Sequence, residues 1–367
     1  MSVVLTEQQQ ELCLTVRRAI REHYGSAGAV ELAEPGAVRS DAAVWKAFSD
    51  IGVPAIGLPG SGAGLLDLGL VVQEAGRGLL PGTLLGHALA QRLLLAAGDS
   101  AAGVLSQVEE QDLRLAASWQ LEPARLEVED GGVVRGRASA VSEGPSADLV
   151  VLLSSRGDRP AIACVGNEHL SFAADPVGAL DTSRDWTVLD FEAEPLSVHE
   201  VEPNALERAR LEAALLVCFD SVGSAEQCLD DAIRYAKERH QFGQAIGGFQ
   251  AVKHLLVDSH VLVDNARSAT WHAAAAIDVG SPDAAFSVHV AKAVSDDAHT
   301  TAAATGIQVH GGMGFTREVA AHLHARRSRY NQRLGGSATE HLQALAGELP
   351  AVLGEWTDAN TEYLRAR

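Results

Sequence analysis

Two long stretches with apolar residues at helical spacing, Ala205 to Lys237 and Ala251 onward, are separated by RYAKERHQFGQAIGGFQ, Arg234 to Gln250. The spacing predicts two long helices joined by a glycine-punctuated break, and the rest of the chain must fold around that pair. Chemistry could sit in the break. Arg239 offers a planar fork of donors suited to a phosphate oxygen. Phe242 offers a flat apolar face, and Gly243, Gly247 and Gly248 let a ligand approach the backbone closely. An ordinary helix hairpin would use the same glycines, so this segment alone leaves both readings open.

A second stretch, GIQVHGGMGFTRE (Gly306 to Glu318), adds to it. Together the two resemble the acyl-CoA dehydrogenase family, whose carboxy-terminal helical domain carries R-x-x-F-G-x-x-(I/L)-x-x-(F/H)-Q and later Q-x-x-G-G-x-G-(F/Y). Here these read Arg239, Phe242, Gly243, Ile246, Phe249, Gln250, then Gln308, Gly311, Gly312, Gly314, Phe315. The resemblance implies a mostly α, α+β fold in three parts: an amino-terminal helical domain over residues 1–110, a small middle β domain over 111–202, and a carboxy-terminal four-helix bundle over 203–367.

At 367 residues the chain is too long for one compact core. Its net charge of −19 argues against nucleic acid or an anionic membrane surface as partner. Cys13, Cys164, Cys218 and Cys228 lack metal-site or disulfide-framework spacing, so free thiols in a reducing cytosol are expected. The start MSVVLTEQQQELCLTV has no basic head before an apolar run, and no stretch reaches membrane-span length; a cytoplasmic protein is the expectation.

Thr6 to His23 reads as an amphipathic helix opened by a Thr6–Gln9 capping pair. The Gly60, Gly62, Gly64 cluster has G-x-G-x-G spacing behind Pro59, which speaks against a dinucleotide fingerprint. From Leu113 to about Phe191 short valine- and leucine-rich runs predict strands, with turns at Asp130-Gly131-Gly132 and between Ser155 and Arg159, the first of them a hairpin signal. Helical texture returns from Leu206.

Removing hydrogens from Cα and Cβ of an acyl thioester needs a carboxylate for the proton and an oxidised flavin for the hydride. The family draws its base from one of two places, which by the resemblance fall on Leu334 and Ala213 here; neither can act. Glu212 is a neighbour of the second place, but one residue turns a helix by about 100°. Glu340 follows the first place and reads as part of the next helix, so both carboxylates are expected to be solvated. Asp220 has apolar neighbours and would have a raised pKa if buried, but an exposed face or a satisfied buried Asp is the favoured reading. The flavin-ring loop is reduced to Leu121-Glu122-Pro123-Ala124-Arg125, and the segment holding a stacking ring becomes Ala140-Val141-Ser142-Glu143-Gly144, where only Ser142 keeps a hydroxyl. Trp119 could partly stand in for that ring, but a core role fits it better. The fourteen histidines have no metal spacing and receive no catalytic role.

The resemblance further implies that FAD is bound across a subunit interface, with one subunit holding the ring and its neighbour the pyrophosphate and adenosine. Arg239, Gln241, Phe242, Phe249, Gln308, Gly311 and Gly312 make up that second half-site. The expectation is a subunit of a heteromeric, FAD-dependent acyl-CoA dehydrogenase, paired as α2β2 with a homologous catalytic subunit, similar to the short, degenerate subunits of actinobacterial sterol side-chain degradation. Two other readings stay open: a self-sufficient homo-oligomer with a displaced base, and a flavin-free helical scaffold.

Overall fold

The computed structural model describes residues 3–24, 42–81, 83–119, 126–128, 133–174 and 180–348. Helix α1 (Glu7–His23) opens as expected: the Thr6 side chain accepts from the Gln9 N–H, and the Gln9 side chain accepts from that of Thr6. Helices α2 (Ala42–Asp50), α3 (Leu65–Arg77), α4 (Thr83–Ala96) and α5 (Ala102–Gln111) follow. Both α3 and α4 are buried over most of their length, so they are apolar on nearly every face. The glycines before α3 serve its entry, with Gly60 and Gly62 at φ of 90° and 71°. Asp278 caps that helix by accepting from the Leu65 and Leu66 N–H groups at 2.7 and 3.0 Å.

Strands β1 (Leu115–Ala117), β2 (Leu126–Val128), β3 (Val134–Ser142), β4 (Leu149–Arg156), β5 (Arg159–Gly166), β6 (Phe172–Ala174), β7 (Trp186–Ala193) and β8 (Ser197–Glu200) form one sheet. Its order is β6-β7-β3-β2-β4-β5-β8, with β1 parallel to β4. β2 and β3 pair antiparallel, Val128 against Val134, but the Asp130-Gly131 connection expected to turn them lies outside the described residues. The turn between Ser155 and Arg159 is seen: Arg156 pairs with Arg159 across Gly157, whose φ is 60°. Along β4, Leu149, Val151 and Leu153 join the large core shared with the helices, while Val150 and Leu152 join a second core on the other face. A strand covered on both sides reads as a continuous apolar run, as this one does.

Helix α6 (Pro203–Glu238) is 36 residues long. Helices α7 (Gln250–Asp278), α8 (Ala284–His310) and α9 (Ala321–Asn331) complete the bundle, and residues 338–348 are helical again. A Cβ on Gly223 would lie 1.9 Å from the Gln73 carbonyl oxygen, and one on Gly76 would lie 2.3 Å from that of Asp220. α3 and α6 therefore cross at backbone contact, which only glycine permits. The molecule is mostly helical around one small sheet, the expected fold class. No helix among the described residues is long and apolar enough to cross a membrane.

Where the sheet meets α6 and α9, four charges are buried together. Asp220 accepts from Arg184 Nη2 at 2.5 Å and from Asn331 Nδ2 at 2.7 Å. Arg327 lies 3.6 Å from Asp220 and 3.5 Å from Asp181, and donates to the Leu80 carbonyl at 3.0 Å. Two arginines and two aspartates cancel, which makes their burial tolerable.

Candidate functional site

Helix α6 ends because Arg239 leaves the helical region, at φ −76° and ψ 123°, while its N–H still caps the Tyr235 carbonyl. Strands β9 (His240–Gln241) and β10 (Gln244–Ala245) then form a minimal hairpin with two residues at its tip. Those two are Phe242 and Gly243, at φ of 51° and 82°. Positive φ at both tip positions is the mirror-type turn that suits strand twist, normally built from Asn-Gly or Asp-Gly. Phenylalanine there is strained, and its ring is 92% exposed. Phe249 meets it edge-to-face, with centroids 6.2 Å apart. Gln241 is exposed, and its side chain donates to the His240 carbonyl at 2.8 Å. Arg239 is exposed as well, and its guanidinium has no ion-pair or hydrogen-bond partner among the described residues.

The second motif arrives at the same corner. Gln308 is exposed on the last turn of α8, and the helix ends at Gly311, whose φ is 61°. Gly312 follows within the exposed turn Gly311–Phe315, where Phe315 is 74% exposed. Tyr235 on α6 ties the two motifs together. Its ring stacks on His310 at 4.5 Å, and its hydroxyl reaches Met313 Sδ at 3.6 Å. Around it Ala232, Ala236, Val309, Ile246 and Val252 form a small core of their own. All seven expected half-site residues thus stand at the end of α6 and the hairpin after it, on the helix entry that follows, or on the last turn of α8 and the turn after it. The Gly311 N–H donates to the Ile307 and Gln308 carbonyls, so it caps α8 rather than pointing at solvent.

The flavin-ring side differs. Residues 121–125 lie outside the described residues. Ser142 is fully buried, with its Oγ unpartnered and the strand lying against Gly86 of α4, so its hydroxyl cannot face a ring. Ala140 sits at a β-bulge with φ 52°. Trp119 is 6% exposed, in keeping with a core role, though one edge lines a cleft of about 530 Å³ together with Glu207, Arg210, His289, Arg333 and His341. The described residues of the hairpin and turn thus offer groups suited to a phosphate and an adenosine, while Ser142 offers no exposed hydroxyl to a ring.

Leu334 and Ala213 are both buried in the large core. Glu212 corrects one expectation: it is not solvated but 7% exposed, bound to Arg208 at 2.8 Å and 3.8 Å from Arg92, in a second cleft away from the dinucleotide corner. Glu340 is exposed and closes a capping box, accepting from the Ser337 N–H at 2.6 Å and its hydroxyl at 2.7 Å. Those bonds hold its pKa below the usual carboxylate range. Asp220 is a satisfied buried carboxylate, one of the two favoured readings. Burial alone pushes its pKa up, but Arg184, Arg327 and the Asn331 amide outweigh it and hold the carboxyl below its ordinary value. What sequence reasoning missed are the histidine contacts, because His289–His341 and His299–Ser224–His324 join residues distant in the chain.

The carboxy-terminal domain model of acyl-CoA dehydrogenases matches residues 205–349. The chain is 33% identical over 349 residues to the acyl-CoA dehydrogenase IpdE2 of Mycobacterium tuberculosis, covering 94% of this chain and 98% of that one. Among solved structures, the ChsE4-ChsE5 complex of the same organism superposes with a TM-score of 0.83 at 22% identity, over 95% of this chain and 99% of that one. The Tcur3481-Tcur3483 steroid ACAD gives 0.81 at 23% identity, over 95% and 99%. With the motif geometry in place and a relative of this identity matched over nearly its whole length, the chain belongs to the acyl-CoA dehydrogenase family.

Proposed function

We propose that this chain is the non-base-bearing subunit of a heteromeric, FAD-dependent acyl-CoA dehydrogenase. It presents Arg239, Gln241, Phe242, Phe249, Gln308 and the Gly311-Gly312 turn to the pyrophosphate and adenosine of a flavin whose ring lies in a homologous partner. The carrying observation is the hairpin tip: a strained phenylalanine held out to solvent beside an arginine with no partner among the described residues. Strain of this kind persists where a function needs it. Phe315 on the turn after α8, and Leu255, Val257 and Val261 farther along α7, are further exposed apolar residues, as an interface would present.

When bound, FAD supplies the hydride acceptor of the dehydrogenation. This chain's residues bind and orient it: Arg239 pairs with a phosphate oxygen, Phe242 and Phe249 flank the adenosine, and Gln308 donates beside them. With the Gly311 N–H turned to α8, an anion contact from that turn falls to Gly312 and the peptides after it. Buried Leu334 and Ala213 hold no proton, so the base belongs to the partner. The names of the structural relatives, one a steroid enzyme and both two-component complexes, support a steroid thioester as substrate and a heteromeric assembly, which by the family resemblance would be α2β2.

The visible spectrum tests this reading. The full chain purified alone should carry little FAD, and the co-expressed pair about one FAD for each copy of the partner. Stoichiometric FAD on the isolated chain after gel filtration would support the self-sufficient alternative instead.

A further inference from the structure

The Gly311–Phe315 turn is fastened on two sides. Against α8 it packs so closely that a Cβ on Gly314 would lie 2.8 Å from the Ile307 carbonyl oxygen. Toward α6 it is joined through sulfur: the Tyr235 hydroxyl donates to Met313 Sδ at 3.6 Å, while the Met313 carbonyl accepts from the Thr316 N–H and hydroxyl, both at 2.9 Å. Tyr235 is itself fixed. Its ring stacks on His310, which is locked by Nδ1–H donating to the Gly306 carbonyl at 2.7 Å, and the Tyr235 carbonyl accepts from the Arg239 N–H at 2.8 Å. Met313 therefore helps set where the turn stands relative to the hairpin.

The chain's sulfur is held in four cysteines and two methionines. Peroxides oxidise a cysteine as its thiolate, so a thiol with a raised pKa reacts slowly. Burial pushes Cys13 and Cys164 up to about 11, with Glu74 adding to the rise at Cys13, and pushes Cys218 and Cys228 up to about 12. At neutral pH all four are thiols, and Cys164, Cys218 and Cys228 are buried as well. A thioether has no proton to lose, so exposure decides its oxidation. Met313 is 36% exposed; Met1 lies outside the described residues.

We infer that Met313 is a site of reversible oxidation by peroxides, and that its sulfoxide loosens the turn from Tyr235 and weakens the chain's hold on FAD. The sulfur lone pair attacks one oxygen of hydrogen peroxide: an S–O bond forms, the O–O bond breaks, and the other oxygen leaves as water. Sulfur is oxidised and the peroxide reduced by the same electron pair. A flexible apolar side chain thereby becomes a polar, chiral one against the Tyr235 hydroxyl. The oxidation needs only this chain; the loss of FAD rests on the half-site reading above.

Treatment of the full chain with hydrogen peroxide, followed by peptide mass mapping, reads the oxidation itself. One oxygen on Met313 ahead of any cysteine is expected. Tyr235→Phe removes the hydroxyl that engages the sulfur and should speed the reaction about threefold or more. The co-purified complex is then treated, mapped and dialysed, and its flavin absorbance is compared with that of the same protein untreated. Wild type should lose about threefold or more in FAD retention and recover it with methionine sulfoxide reductases, while Met313→Leu should lose none. Cysteine oxidation ahead of Met313, an unchanged rate in Tyr235→Phe, a Met313 left untouched in the complex, or equal FAD loss in Met313→Leu would each overturn the inference. Arg239→Ala separates the two readings. If that variant retains FAD as wild type does, the half-site reading fails and the consequence for FAD with it; if it loses FAD while peroxide-treated wild type does not, this inference fails alone.

Discussion

Phe242 is a residue whose local energy and proposed task oppose each other. Its left-handed backbone costs on the order of 1 kcal/mol, a cost glycine would not carry. Phe242→Gly should therefore raise the midpoint of thermal unfolding slightly while lowering FAD retention by the co-purified complex. A variant that loses stability, or keeps full retention, would mean that the ring serves folding instead. Arg239→Ala should cost about 1.5–3 kcal/mol of FAD affinity, and Arg239→Lys part of that because the bidentate geometry goes. Dialysis of the complex followed by flavin absorbance checks both. Asp220 behaves differently: Asp220→Asn leaves Arg184 and Arg327 facing only Asp181, an unbalanced buried charge costing about 3–5 kcal/mol. A fall in denaturant midpoint without loss of secondary structure in the folded state is the expected signature. That Arg239, Phe242 and Gln308 would come near one another was legible because their motif letters are specific. The fate of Asp220 was not, since its partners come from β-strand and helix segments far away in sequence.

The helices and strands were legible from periodicity and turn chemistry, and the Thr6–Gln9 cap and the Gly157 turn follow the rules that predicted them. Element contacts were not. Nothing local in the chain announces that Glu212 sits against Arg92 of α4, or that Ser224 of α6 lies between His299 of α8 and His324 of α9. That buried trio carries a pH signature. Burial lowers His299 to about 3 and His324 well below its ordinary value, while His87 on α4 is lowered to about 4, again by burial. All three folded values lie below the unfolded one, near 6.5, so the unfolded chain binds more protons in between. Stability is fully present above that value and falls as pH drops below it, by about 1.4 kcal/mol per unit for each buried histidine. Urea midpoints at pH 7.5 and 5.5 should differ accordingly, the acid value being lower. A flat profile over that range would show these rings to be protonated in the folded state.

At the scale of the whole molecule, the question is which subunit takes the proton from Cα. Leu334 and Ala213 are inside the core, Glu340 is tied into a helix cap, and Glu212 is held between two arginines, so no carboxylate of this chain considered for the role stands free for it. Asp220 is a poor test because its amide would unfold the cluster that joins sheet and bundle. Glu340→Gln, on an exposed helix cap, is the cleaner variant; Glu212→Gln also removes a charge facing Arg208 and buried Arg92, so its unfolding midpoint is measured beside its rate. A positioned general base is worth roughly 10² to 10⁴ in rate, against the few-fold effect of disturbing a helix surface. Single-turnover bleaching of the flavin by acyl-CoA in the complex should therefore stay within a few-fold of wild type for both. Leu334→Glu in the isolated chain should give no bleaching, because a restored carboxylate has no flavin ring beside it. A loss of about a hundredfold in either amide variant, with FAD content unchanged, would place the base in this chain and favour the self-sufficient reading.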